Sequence, residues 1–247
     1  MKSMSTLMFY KKPVTIDRVT HRDLRFKPLA KGYSYAAKTN SIPVVAAEFV
    51  DVCREYPIVF VTDQHGGGVP LVLTGLRDSE NLFVNAEGHW DNTYVPAFVR
   101  RYPFVLQGDE DSERFGVMID EEADGYAAQD GERLFAEDGT ESEMLNGILE
   151  LLNNFRTHTA QTTNMVKHFV ELDLLIPRMV SVNTQKGETF TLDGFSVINE
   201  ERMNALTDAE LLALARNGHL ACIYAHLISL PNIQKIAARL ELVLPAA

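Results

Sequence analysis

Thr140-Glu141-Ser142-Glu143-Met144-Leu145-Asn146-Gly147-Ile148-Leu149-Glu150-Leu151-Leu152-Asn153-Asn154-Phe155 is where this chain changes character. Thr140 to Glu143 carries the order of a capping box, a hydroxyl followed three residues later by a carboxylate, which satisfies backbone donors at a helix start. Leu145, Ile148, Leu149, Leu152 and Phe155 then recur at helical spacing on one face. The pattern extends towards Leu175 through a polar middle at 157–164, a place for a bend or a break, and Pro177 is read as its stop. Beyond it, 180–182, 190–192 and 195–198 read as short strands around Lys186-Gly187 and Asp193-Gly194 turns. Thr207-Asp208-Ala209-Glu210 is a second capping box, opening a helix with Leu211, Leu212 and Leu214 that stops at Gly218. Ser229 is read as the cap of a last helix, with Pro231 in its first turn and Ile233, Ile236, Ala237 and Leu240 inward.

Upstream, the period is that of strands. Residues 57–61 and 69–73 flank Gly66-Gly67-Gly68 and read as a hairpin. Residues 82–84 and 115–119 are further strand candidates, and 46–55 is helical, with Val45, Phe49, Val52 and Cys53 at helical spacing. The expected fold is therefore α+β: a β-rich part with hairpins over 1–140 and a mainly helical part over 141–247 packed against it, together one domain.

The bulk composition of the 247 residues, 46% hydrophobic and 23% charged, is that of a soluble globular protein with a sizeable core. No apolar run reaches the roughly 18 residues that span a bilayer, and the apolar run 7–10 is too short for a signal peptide. Cys53 and Cys222 are far apart and read as free thiols, which fits the cytoplasm. The net charge of −11 is concentrated: residues 109–143 hold 14 of the 34 acids against Arg114 and Arg133, a net of −12, so the remainder is near +1. Without clustered cations, nucleic acid is not an expected partner.

Residues 90–104, Trp90-Asp91-Asn92-Thr93-Tyr94-Val95-Pro96-Ala97-Phe98-Val99-Arg100-Arg101-Tyr102-Pro103-Phe104, place five aromatics, two prolines, adjacent arginines and the single tryptophan in fifteen residues. As a short helix with Pro96 in its first turn, it brings Tyr94, Phe98 and Tyr102 to one face, flanked by Arg101, with Arg100 nearly opposite. The bland reading is a core-facing stripe with surface arginines suited to the helix dipole. The functional reading is a pocket wall, with Trp90, Tyr94, Arg100, Arg101 and Tyr102 as binding residues for an acidic small molecule or partner segment.

Other motifs are weaker. His89-Trp90-Asp91 fits half of a facial iron triad, with His158, His168, His219 or His226 as a third ligand, but a chance H-x-D is common and the run reads more simply as a turn, with Asp91 or Thr93 capping the next helix. His65-Gly66-Gly67-Gly68 resembles an esterase oxyanion loop, yet no G-x-S-x-G elbow follows it. Residues 120–125 begin like a calcium loop, but the twelfth position is Gly131 and the run reads more simply as a solvated acidic loop. His226, among apolar residues, reads as a hydrogen-bonded core histidine. No cofactor and no metal are called for, and no catalytic residue stands out.

Four pieces in order resemble the bacterial SapC family: Tyr56-Pro57-Ile58-Val59-Phe60, Leu82-Phe83-Val84, residues 90–104, and Gly218-His219-Leu220-Ala221-Cys222-Ile223-Tyr224-Ala225-His226-Leu227-Ile228-Ser229-Leu230. The resemblance covers roughly residues 10–240. It implies an association with surface layers, and with genes for TonB-dependent receptors and flavin-dependent halogenases, but no agreed catalytic residues. The expectation is a soluble, cytoplasmic, non-enzymatic binding or accessory protein, for which a homo-oligomer is compatible. A non-haem iron enzyme and a structural surface-layer component are the rivals.

Overall fold

The computed structural model describes residues 7–28, 32–62, 67–107, 115–184 and 186–243. In chain order the elements are β1 (Pro13–Thr15), β2 (Arg25–Phe26), β3 (Ser41–Pro43), α1 (Phe49–Val52), β4 (Ile58–Thr62), β5 (Gly68–Leu73), α2 (Ala97–Arg100), β6 (Phe104–Gln107), β7 (Gly116–Asp120) and β8 (Glu132–Arg133). There follow α3 (Glu143–Glu171), β9 (Leu175–Asn183), β10 (Thr189–Ile198), α4 (Glu200–Asn204), α5 (Asp208–Arg216), α6 (His219–Ser229) and α7 (Ile233–Val243). This is an α+β fold with strands dominating the first half and helices the second.

Among the described residues three antiparallel sheets form, in the orders β1-β7-β6, β2-β8 and β3-β5-β4-β10-β9. The third joins strands of both halves. The β4–β5 hairpin pairs Ile58 with Val72 and Val61 with Val69. Alternation then sends Ile58 and Phe60 into the main core, and Val59 to the opposite face beside Phe195 and Val197. The main core takes Phe49, Tyr56, Phe83, Trp90 and Phe98 from the first half and Phe169, Leu214, Ile223 and Leu240 from the second. Among the described residues no single helix is long and apolar enough to cross a membrane.

Several boundaries differ from the sequence reading. The cap of α3 is Ser142, whose Oγ accepts from the Leu145 amide, while Thr140 turns to Asp138. The helix runs unbroken through its polar middle and ends at Glu171, where Asp173 takes φ 54°. Pro177 instead sits in β9, an edge strand, where the lack of an N–H is tolerated. Asp193-Gly194 is a bulge inside β10, with Gly194 at φ 75°, and not a turn between strands. Residues 82–84 form no strand: the Leu82 amide donates to Thr74 and the Phe83 amide to the Asn81 side chain, leaving only a bridge between Val84 and Trp90. The helix expected over 46–55 is a 3-10 turn at Ala46–Glu48 followed by the single turn of α1. Leu211 and Leu212 are largely exposed, and only Leu214 of that trio is buried.

Ser229 ends α6 and does not cap the last helix. Its hydroxyl accepts from the Ile58 amide (2.9 Å) and donates to the His226 carbonyl. His226, fully buried, lies beside it. Its Nε2 accepts from the Ile198 amide at 3.1 Å and its Nδ1 lies 2.9 Å from the Ile58 carbonyl. A peptide N–H can only donate and a carbonyl only accept, so the ring is neutral with its proton on Nδ1. Since Ser196 faces Phe60, Ile198 stands opposite Ile58. His226 thus links the Ile198 amide of β10 to the Ile58 carbonyl of β4, and Ser229 accepts from the Ile58 amide.

Burial lowers the His226 pKa from 6.5 to about 4, against a smaller opposing effect of the Ile58 carbonyl. In the unfolded chain the ring takes up a proton near pH 6.5, whereas in the folded chain it stays neutral until about 4. The unfolded state therefore holds more protons in that window, and stability falls as pH falls through it, by up to about 3 kcal/mol from this group. Urea unfolding from pH 7.5 to 4.5 should show a steeper loss for the native chain than for His226→Gln, whatever the variant's absolute stability. Parallel curves would show that His226 titrates normally.

Candidate functional site

The segment 90–104 is tied down residue by residue. Trp90 is buried, and its indole N–H donates to the Tyr56 hydroxyl at 3.0 Å and to Thr93 Oγ1 at 3.2 Å. The Tyr56 hydroxyl in turn donates to the Tyr94 carbonyl at 2.7 Å. Only Ala97–Arg100 is helical, with Pro96 preceding as the N-cap residue and Tyr94 outside the helix. The start of the helix is fixed by Glu48, 4% exposed. Glu48 Oε1 accepts from the Ala97 amide (2.7 Å) and the Tyr94 hydroxyl (2.9 Å), and Oε2 accepts from the Val45 amide (3.1 Å). The Tyr94 phenol is pushed up to about 12, by burial first and by the Glu48 charge next.

A second buried carboxylate holds the far end. Asp120 has no exposed surface. Its Oδ2 accepts from the Tyr102 hydroxyl (3.0 Å) and the Lys11 amide (2.9 Å). Its Oδ1 accepts from the amides of Lys12 (2.9 Å) and Glu122 (3.1 Å). The first residue of the calcium-like run is thus committed to the fold. The Tyr102 ring stacks on Tyr35 at 4.2 Å, and burial raises its pKa, with Asp120 adding to the shift.

The five residues expected to form one site therefore occupy three places. Trp90 and Tyr102 are sealed in core. Tyr94 and Arg100 pair at the surface, where Arg100 Nη2 donates to the Tyr94 hydroxyl (3.1 Å) and Nε to the Val95 carbonyl (3.0 Å). Arg101 lies on the other side, only 6% exposed, its guanidinium 4.2 Å from the centre of the Phe98 ring and 4.9 Å from that of Phe155. Burial lowers its pKa, with Tyr10 opposing.

Arg101 lines a cleft of about 700 Å³ between α3, β6 and the facing ends of β3 and β5. Its walls include Phe98, Val105, Leu106, Phe115 and Phe155, together with Arg156 and the polar stretch of α3. Arg156 stacks on Phe115, 4.0 Å from the ring centre. Within the polar stretch, helical throughout, the threonines bond back to the preceding turn: Thr157 to Asn153, Thr159 to Phe155, Thr162 to His158 and Thr163 to Thr159, at 2.6–3.1 Å. Arg156 and Phe115 were missed from the sequence; the signal that could have found them is this polar interruption of an amphipathic helix, which here faces a cleft.

A family model described as SapC matches residues 16–236. The chain belongs to the SapC family. No curated protein and no solved structure matches it. The four pieces that resemble SapC proteins meet in the fold: Tyr56 bonds Trp90, Phe83 lies against the Trp90 ring, and Ile58 bonds His226 and Ser229.

The remaining motifs of this SapC chain lie elsewhere. His89 is exposed, and Asp91 pairs with Arg239 of α7, which lowers its pKa. Among the described residues no group of three or more His, Cys, Asp or Glu side chains is placed to hold a metal ion. His65-Gly66 lies outside the described residues, and Gly68 opens β5. Asp120→Ala should cost about 4 kcal/mol in urea unfolding, because four donors lose their acceptor, whereas Tyr102→Phe removes one bond and should cost about 1 kcal/mol. Comparable losses would mean that the backbone donors find other acceptors.

Proposed function

We propose that this SapC protein is a non-enzymatic binding or accessory protein that holds an acidic ligand, a small molecule or the acidic end of a partner segment, in the cleft beside α3. The observation that carries the reading is the pairing of two guanidiniums, Arg101 and Arg156, with aromatic faces on the walls of one largely apolar cleft. Arginine held on an aromatic face keeps its positive charge beside an apolar wall, which suits a ligand that joins a carboxylate to an apolar body, and the cleft volume is that of small-molecule sites. In this reading Arg101 carries the binding role once expected of the whole segment, and Arg100 stays with Tyr94.

The protein works in the cytoplasm in this reading, which the free thiols of Cys53 and Cys222 support. Recovery of most of the protein at the cell surface on fractionation would favour the surface-layer role. Iron at one equivalent in the purified protein would favour the enzyme.

Calorimetric titration with 2-naphthoate, and with its neutral analogue 2-naphthylmethanol, tests the cleft. The carboxylate should bind more tightly. Arg101→Met should weaken it about tenfold or more and Arg156→Ala less, with Arg100→Ala unchanged. Equal, negligible effects of the Arg100 and Arg101 substitutions, or equal binding of acid and alcohol, would overturn the assignment.

A further inference from the structure

His168, in the last turn of α3, and His219, the first residue of α6, meet with their Nδ1 atoms 3.1 Å apart. The rings are tilted by 63°, and Phe169 supports the edge of His219 at 5.9 Å between ring centres. Both histidines are part-buried, so the pair is reachable from solvent. Two neutral imidazoles in this contact share one proton between two nitrogens, since one Nδ1 must donate and the other accept.

We propose that His168 and His219 form a two-histidine site for a divalent transition metal, Zn²⁺ or Cu²⁺. The spacing is that of adjacent donors on one ion: with metal–nitrogen bonds of about 2.0–2.1 Å, nitrogens 3.1 Å apart subtend roughly 98° at the metal. That angle lies between square and tetrahedral coordination, and imidazole suits both ions. The donating ring shifts its proton from Nδ1 to Nε2, so both lone pairs become available without release of a proton. Among the described residues no third His, Cys, Asp or Glu completes the set. Water or a ligand therefore fills the open positions, and the ion exchanges readily. Occupancy ties the C-terminal end of α3, the helix that walls the cleft, to the start of α6.

Titration of the untagged full chain with Zn²⁺ should give one ion per chain and raise Tm by about 3–6 °C at saturation, reversed by EDTA. Cu²⁺ electron paramagnetic resonance should report two equatorial imidazoles, falling to one in His168→Ala and in His219→Ala. The more conservative His168→Gln should behave as His168→Ala, and His158→Ala should leave the signal unchanged. A signal of two imidazoles that survives in His219→Ala, or no metal-dependent shift in the native chain, would overturn the site.

Discussion

His226 stands where a bond between two strands is expected. Its imidazole passes the hydrogen bond from Ile198 of β10 to Ile58 of β4, and Ser229 accepts from the Ile58 amide. This contact joins the first half of the chain to the second, because β4 belongs to one and β10 and α6 to the other. It works only with a neutral ring carrying its proton on Nδ1. A charged imidazole in this apolar setting would meet an N–H where it needs an acceptor, and desolvation opposes the charge as well.

The same economy runs through the segment 90–104. Glu48 and Asp120 are buried carboxylates that would be costly alone, but each accepts three or four hydrogen bonds. One fixes the entry to α2 and the other fixes Tyr102. With both ends held, the backbone direction of α2 decides which arginine faces which way. Arg100 turns to Tyr94 at the surface and Arg101 to the cleft. The segment is thus mostly a device for building the fold, and the proposed binding site is its by-product.

Much of the fold could be read from periodicity. The β4–β5 hairpin, the amphipathic face of α3, the capping box of α5 and the core role of His226 all follow from local pattern. Failures arose where a distant partner decided the outcome. Residues 82–84 have strand composition but spend their amides on turns. Ser229 is a good cap by type, yet Ile58 of a strand 171 positions away claims it. The polar middle of α3 looked like a break because back-bonding threonines and a facing cleft are invisible in a linear pattern. At the site, helical spacing correctly put Arg100 and Arg101 on different sides. It could not reveal that Phe155 and Arg156, half a helix away in another element, complete the wall around Arg101.

The neutral, Nδ1-protonated state of His226 is what lets it bridge β4 and β10, and imidazole ¹⁵N chemical shifts measure it directly. The structure predicts a resonance pair with the proton on Nδ1 that does not titrate between pH 7.5 and 5.5. A ring protonated on Nε2, or one that titrates near pH 6.5, would contradict it.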